Sequence, residues 1–138
     1  MVTRSDLFDD VPLDGEFTHS LTCSEDAMQL FAQLSGDRSP IHVDELFARA
    51  HGLDGRIVYG NLLGAMVSTL VGMKLGGPGV MIVSQTINFR RPVPVGAEVR
   101  LTALVVQKSE AGRLAELQLK FAMGDQVVAT GKCQIKFL

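Results

Sequence analysis

The chain has 138 residues, 46% of them hydrophobic, and a formal net charge of −2 at pH 7. This length is typical of one domain, and the charge balance gives no reason to expect a nucleic-acid partner. Because the chain has no Trp and a single Tyr, it also lacks the aromatic platforms on which bases stack.

The amino-terminal sequence MVTRSDLFDD is polar and acidic, and it lacks the apolar core of a signal peptide. Cys23 and Cys133 lie far apart without a C-x-x-C pair, which argues against a structural zinc site and leaves a single disulfide open. Residues 57–73 carry no charge, but Asn61 interrupts the run and Lys74 closes it. We therefore expect a helix buried on all sides rather than membrane insertion, and a cytoplasmic protein.

The first predicted elements are a strand and an amphipathic helix. Glu16–Thr22 is typical of a strand. Thr22 with Glu25 is a capping-box candidate, and Ser24 is an alternative N-cap for the helix that follows. Gly36 is expected to end that helix. Its helical spacing of apolar residues predicts one packed face, made of Ala27, Met28, Leu30, Phe31 and Leu34.

Two further helices are expected before the chain turns to strands. Asp44–Ala50 predicts a short helix, and Tyr59–Leu75 predicts a long one, about 25 Å in length. Small residues recur every fourth position on one face of the long helix, which favours close approach to a sheet or a partner; they are Gly60, Gly64, Ser68 and Gly72.

The remainder of the chain alternates with period two, which predicts an antiparallel sheet with one buried face. The alternating sets are Met81, Val83, Ile87 and Phe89; Val99, Leu101, Ala103 and Val105; Ala115, Leu117, Leu119, Phe121 and Met123; and Val127, Ala129, Cys133, Ile135 and Phe137. The predicted fold is α+β, with a long central helix wrapped by a curved antiparallel β-sheet. We expect a single domain over residues 1–138, in which residues 1–14 form a loosely ordered amino-terminal segment.

The most informative stretch is FAQLSGDRSPIHVDELFA, residues 31–48. Asp37 follows the end of a predicted helix, and His42 comes five residues later. Ser39-Pro40 disfavours a continuous helix between them, because a residue before proline is pushed out of the α region. The stretch thus predicts a loop that presents a carboxylate and an imidazole beside an apolar element.

This stretch resembles the hydratase motif of the MaoC-like family, which comprises (R)-specific enoyl-CoA hydratases and dehydratases of the hot-dog fold. The family pattern is aromatic-Ala-x-x-Ser-Gly-Asp-x-Asn-Pro-x-His-x-Asp-x-x-aromatic-Ala, and Ser39 replaces its Asn. Residues 56–63 resemble a second family block, with Tyr59 in place of the usual His and Asn61 in place of the usual Met. Residues 88–96 resemble a third block, which is common to many hot-dog proteins.

The resemblance implies that Asp37 and His42 are the catalytic pair that adds water to an enoyl thioester. A carboxylate and a neutral imidazole can hold one water and share the proton transfers; which of the two takes the water proton stays open. Their alternative roles are a loop carboxylate that accepts local amide bonds and a buried structural histidine. Gly60 is implied to stabilise the enolate oxygen with its backbone N–H in the first turn of the long helix.

Other positions are expected to bind substrate or to support the fold. The predicted substrate-binding residues are Ser39, Tyr59, Asn61, Ser68, Arg90 and Arg91, the two arginines as partners for coenzyme A phosphates. Asp44 is interpreted as a helix N-cap. His19 and His51 have no motif support.

The leading interpretation is an enzyme that interconverts trans-2-enoyl and (R)-3-hydroxyacyl thioesters carried on coenzyme A or acyl carrier protein, in fatty acid or polyketide metabolism. A hot-dog thioesterase is disfavoured because residues 60–75 contain no Asp or Glu. A non-catalytic thioester-binding protein is a third interpretation. We expect no metal or other cofactor, and a homodimer, since exposed sheet edges favour pairing.

Overall fold

The computed structural model describes residues 6–75 and 77–138. Its helices are α1 to α5 in chain order, followed directly by a π-helical turn: Leu7–Asp10, Glu25–Ser35, Pro40–Val43, Glu45–Ala50 and Gly60–Thr69, then Leu70–Lys74. Its strands are β1 to β5: Glu16–Thr22, Val80–Phe89, Glu98–Ser109, Leu114–Met123 and Gln126–Phe137. None of these helices is long and apolar enough to cross a bilayer.

The five strands form one antiparallel sheet in the order β1-β3-β4-β5-β2. Both edge strands, β1 and β2, contact α5 and the π-helical turn, so the sheet curves around this helix. The predicted α+β architecture with a central helix wrapped by the sheet is confirmed. The core lies between the helix and the inner faces of the strands.

The alternation predicted for β3 and β4 is confirmed, whereas that of the edge strand β2 is wrong except at Ile87, which packs against the core as predicted. Val99, Leu101 and Leu117 are completely buried. Met81 and Val83 are instead 45% and 46% exposed. A register shift between Ile82 and Ser84 changes which side chains face the core, and Val80 and Ile82 pack inward instead. Phe89 at the end of β2 was also predicted to face inward and is exposed. In β5 a register shift buries Val128 rather than Val127.

The long helix differs from its prediction in two ways. It is α-helical only over Gly60–Thr69, and the following turn is π-helical. It is also not buried on all sides, because Asn61, Ala65 and Ser68 lie on an exposed face. The small-residue face makes close contact at one end only: a Cβ at Gly60 would meet the Phe89 ring, whereas one at Gly72 would meet nothing within 4 Å.

The residues predicted to begin and end the shorter helices are confirmed in part. Ser24, not the Thr22 capping box, caps α2 by accepting a hydrogen bond from the Ala27 N–H at 3.2 Å. Gly36 ends α2 with a left-handed φ of 77°, as predicted. Asp44 caps α4, as predicted, through the Phe47 N–H at 3.0 Å.

Part of the amino-terminal segment is packed rather than loosely ordered. Phe8 and Val11 enter the core and are 7% and 0% exposed. The Lys108 ammonium donates to the carbonyls of both residues, and Arg113 forms a salt bridge with Asp6. The prediction of a loose segment is therefore wrong for residues 6–14, while residues 1–5 lie outside the described residues.

Candidate active site

The structure places His42 on the one-turn helix α3 rather than on a loop. Pro40 is not a barrier there, because proline is well suited to the first position of a helix, where its missing N–H is not needed. The His42 side chain is buried, and its Nδ1 lies 2.8 Å from the Ile57 carbonyl oxygen. A carbonyl only accepts hydrogen bonds, so Nδ1 carries a proton, and in the neutral tautomer with this bond Nε2 is the acceptor nitrogen.

Asp37 follows the left-handed Gly36 and is half-buried. Its N–H donates to Ser35 Oγ at 3.1 Å. Its carboxylate Oδ1 accepts from the Ser39 hydroxyl at 2.6 Å and from the Ser39 N–H at 2.9 Å. These two bonds, with a smaller contribution from His42, hold the pKa of Asp37 below its usual range, so that the group is ionised at neutral pH.

Tyr59 contacts both Asp37 and His42. Its hydroxyl donates to the Asp37 carbonyl oxygen at 2.6 Å. Its ring lies with centroid distances of 4.1 Å to His42 and 4.6 Å to Phe31. The side chain is 2% exposed, and burial raises the pKa of Tyr59, so the phenol stays protonated at neutral pH.

A cavity of about 360 Å³ opens beside His42 and Tyr59 at the start of α5. Gly60 is the first residue of that helix, where backbone N–H groups have no intrahelical partner. A Cβ at Gly60 would come within 2.9 Å of Phe89 Cζ, so a larger residue would require this ring or the first turn of α5 to move. The cavity is lined by His42, Ile57, Val58, Tyr59, Gly60, Leu63, Phe89, Arg90, Arg91, Pro92 and Val93.

His42 and Tyr59 also line a second, more polar cavity of about 290 Å³. They are the residues that the two cavities share. Arg38, Arg56 and Glu25 supply the charged groups of the second cavity.

Sequence reasoning missed Arg56, which connects three helices around the site. Its guanidinium donates to Glu25 Oε1 at 3.1 Å and to the His42 carbonyl oxygen at 3.4 Å. Its backbone N–H donates to Glu45 Oε2 at 3.1 Å. The only signal in the sequence was its place at the start of the second family block, because no spacing relates residue 56 to residues 25 and 45.

The remaining predicted residues are divided between the cavity and other surfaces. Arg90 and Arg91 line the cavity and are exposed, and Arg90 Nε donates to Thr130 Oγ1 at 3.1 Å. Ser39 is exposed and bonds Asp37. Within the part of the chain that the structure describes, Asn61 and Ser68 lie on the exposed face of α5 and are not among the residues that line this cavity.

The other two histidines lie elsewhere. His19 faces an apolar groove between β1, α2 and α5. His51 is exposed, stacks on Phe47 and bonds its carbonyl oxygen at 2.9 Å. Across residues 6–75 and 77–138, no three His, Cys, Asp or Glu side chains are grouped so that they could hold a metal ion.

Comparison with solved structures identifies the class of fold. The chain superposes on the (R)-hydratase from A. caviae involved in PHA biosynthesis with a TM-score of 0.87 and 28% identity, covering 99% of this chain and 100% of that one. The R-hydratase PhaJ1 from Pseudomonas aeruginosa also gives a TM-score of 0.87, at 27% identity, covering 94% of this chain and 84% of that one. The hot-dog fold expected from the sequence is confirmed.

Sequence comparison identifies the family. A family model described as "MaoC like domain" matches residues 12–121. The "3-hydroxybutyryl-CoA dehydratase" of Methylorubrum extorquens is 38% identical over 106 residues, covering 77% of this chain and 68% of that protein. The chain therefore belongs to the MaoC-like family, and it is an enzyme of the hydratase/dehydratase kind.

Proposed function

We propose that the protein interconverts trans-2-enoyl and (R)-3-hydroxyacyl thioesters, using Asp37 and His42 as its acid–base pair. In hydration, a water gives its hydroxyl to Cβ and a proton is delivered to Cα on the same face. Dehydration is the reverse. Tyr59 contacts both residues, because its hydroxyl bonds the Asp37 carbonyl oxygen and its ring packs on the His42 ring.

The observation that carries this proposal is the orientation of the His42 ring. The Ile57 carbonyl engages Nδ1, so Nε2 is the ring nitrogen that remains to exchange a proton with a water. Asp37 is ionised but its Oδ1 is engaged by Ser39. Within the described residues no hydrogen bond to Oδ2 is found, so this oxygen is the one we assign to the shared water.

The Gly60 N–H is the proposed donor to the thioester oxygen. It lies in the first turn of α5, where the free amides and the positive end of the helix dipole favour a developing negative charge. The exposed Arg90 and Arg91 at the same cavity suit the phosphates of a coenzyme A carrier. Acyl carrier protein is the alternative carrier. This acid–base scheme uses no cofactor.

A homodimer in the cytoplasm completes the proposal. The edge strand β2 exposes the apolar side chains of Met81, Val83 and Phe89, which are 45%, 46% and 55% exposed. An apolar edge of this kind favours pairing with a second copy. Light scattering at micromolar concentration should give twice the mass of one chain, and a monomer mass would contradict this part of the proposal.

The activity is tested by incubation with crotonyl-CoA while enoyl absorbance and free thiol are followed together. The proposal predicts loss of absorbance without thiol release. Thiol release would indicate a thioesterase, although α5 and the π-helical turn carry no Asp or Glu. No change in either signal with crotonyl-CoA or with longer enoyl-CoA substrates would favour a non-catalytic binding protein.

A further inference from the structure

Asp37 is held by two side chains from different parts of the fold. Ser39, two residues later, bonds the carboxylate through its hydroxyl and its N–H. Tyr59, at the start of α5, bonds the backbone carbonyl of the same residue. The Ser39 bonds fix the orientation of the carboxylate relative to its own backbone. The Tyr59 bond fixes the position of that backbone relative to the rest of the site.

The position of the Tyr59 hydroxyl is fixed by the packing of its ring. The ring is buried between Phe31 of α2 and His42 of α3, with centroid distances of 4.6 Å and 4.1 Å. Tyr59 is also the N-cap residue of α5, directly before Gly60. The phenol therefore connects the Asp37 segment both to the His42 ring and to the start of the helix.

We propose that Tyr59 and Ser39 act as one positioning unit that fixes the Asp37 carboxylate relative to His42. This inference rests on the proposed function, because it assigns the acid–base work to Asp37 and His42. Neither contact is sufficient alone. Without the Tyr59 bond the backbone that carries the carboxylate is displaced, and without the Ser39 hydroxyl the carboxylate keeps only the bond from the Ser39 N–H. The two contacts should consequently be coupled in their effect on turnover.

A double-mutant cycle with Tyr59→Phe and Ser39→Ala tests the coupling. With crotonyl-CoA as substrate, each single change should lower kcat about tenfold, since a small misplacement of a reacting group costs one to two orders of magnitude. KM should stay within about twofold, because a positioning residue does not contribute to ground-state binding. The double variant should lose about ten- to thirtyfold rather than the product of the two single losses. Ser20→Ala, a change at an exposed serine of β1, is the matched control and should leave kcat unchanged.

Three kinetic results would overturn the inference. Single losses that multiply in the double variant would show two independent roles. A rise in KM with unchanged kcat would show that Tyr59 contacts the substrate. Unchanged kcat and KM in Tyr59→Phe would show that the hydroxyl has no role in catalysis.

Amide hydrogen exchange provides a second readout that needs no substrate. The N–H groups of Asp37 and Ser39 are bonded within the segment that Tyr59 holds. In Tyr59→Phe these two amides should exchange about tenfold faster or more, while amides of the central strands β3 and β4 keep their protection. Unchanged exchange rates of these two amides in Tyr59→Phe would refute the positioning role. This result does not depend on activity with crotonyl-CoA, so failure of this inference is distinguishable from failure of the proposed function.

Discussion

His42 and Asp37 are held in place by different means. The His42 ring is buried and bonded to the main chain at Ile57, and its own carbonyl is bonded by Arg56. Asp37 is half-buried, and its carboxylate and carbonyl are bonded by the side chains of Ser39 and Tyr59. The imidazole is thus oriented by a main-chain carbonyl, whereas Asp37 depends on two hydroxyl groups in addition to the Ser39 N–H.

This difference determines which substitutions can disturb the orientation of each residue. A backbone carbonyl is present whatever residue occupies position 57, so the orientation of His42 resists single side-chain changes. The orientation of Asp37 is lost more easily, because either hydroxyl can be removed by one substitution. We therefore expect the Asp37 side of the site to tolerate fewer changes at neighbouring positions than the His42 side.

The largest effect is expected for His42→Ala. Loss of a positioned acid–base group should reduce turnover of crotonyl-CoA at least about a hundredfold, the low end of what such a group contributes. His51→Ala is the matched control, because His51 also bonds a carbonyl through Nδ1 but lies exposed on α4's carboxyl end. Near-normal activity of His42→Ala on an established substrate would exclude it from the pair.

A comparable loss is expected for Asp37→Asn, which keeps the shape of the side chain and removes its charge. Turnover should again fall at least about a hundredfold, while the urea midpoint of unfolding shifts little, since the amide oxygen can still accept the Ser39 bonds. Asp125→Asn, in the turn before β5, serves as the control for a surface charge. If Asp37→Asn kept its turnover, Asp37 would be a loop carboxylate with a local structural role only.

A smaller loss is expected for Gly60→Ala, which tests the main-chain part of the site. The new Cβ would lie 2.9 Å from Phe89 Cζ, so either the ring or the first turn of α5 must move. Turnover should fall about tenfold through displacement of the Gly60 N–H. A partial recovery in Gly60→Ala combined with Phe89→Leu would attribute the loss to this contact.

Gly72→Ala is the control on the same face of the helix. A Cβ at Gly72 meets nothing within 4 Å, so the variant should keep full activity and gain up to about 1 kcal/mol in the free energy of unfolding. Equal losses of turnover in Gly60→Ala and Gly72→Ala would contradict a specific role for the Gly60 amide.

The smallest effect concerns pH. The Ser39 hydroxyl is the main cause of the lowered pKa of Asp37. Ser39→Ala removes that bond, so the pKa of Asp37 rises and the carboxylate is protonated at a higher pH than in the wild type. The acid limb of the kcat profile should therefore move to higher pH. Ser39→Thr keeps the hydroxyl and should leave the limb in place; a shift to lower pH in Ser39→Ala would contradict the assignment.

The sequence predicts the fold best in the strands that pair with a neighbour on both sides. Strands β3 and β4 have neighbours on both sides and one buried face, so their alternation is regular over residues 99–105 and 115–121, and the register shift of β3 falls beyond Val105. The edge strand β2 contains a register shift that a period-two pattern cannot reveal. The exposed face of α5 was predicted to be buried because its residues are uncharged, and composition alone does not distinguish such a face from a covered one.

In the candidate site, too, local features could be predicted from the sequence and long-range contacts could not. Two local motifs were enough to select the candidates, Asp37 and His42 from residues 31–48 and Gly60 from residues 56–63, since each motif spans few residues and has a fixed spacing. The contacts of Tyr59 and Arg56 cross 22 and 31 residues, to Asp37 and Glu25, and depend on how α2 and α5 pack. The two positions at which the chain departs most clearly from the family motifs within this site, Ser39 and Tyr59, both bond Asp37, which becomes visible only in three dimensions.

We propose that Asp37 and His42 act together on one face of an enoyl thioester. The most direct test is hydration of crotonyl-CoA in D₂O by the wild-type enzyme, followed by chiral analysis and by NMR of the product. The account predicts (R)-3-hydroxybutyryl-CoA with one deuterium at Cα, on the same face as the new hydroxyl. Formation of the (S) product, or deuterium on the opposite face, would contradict it.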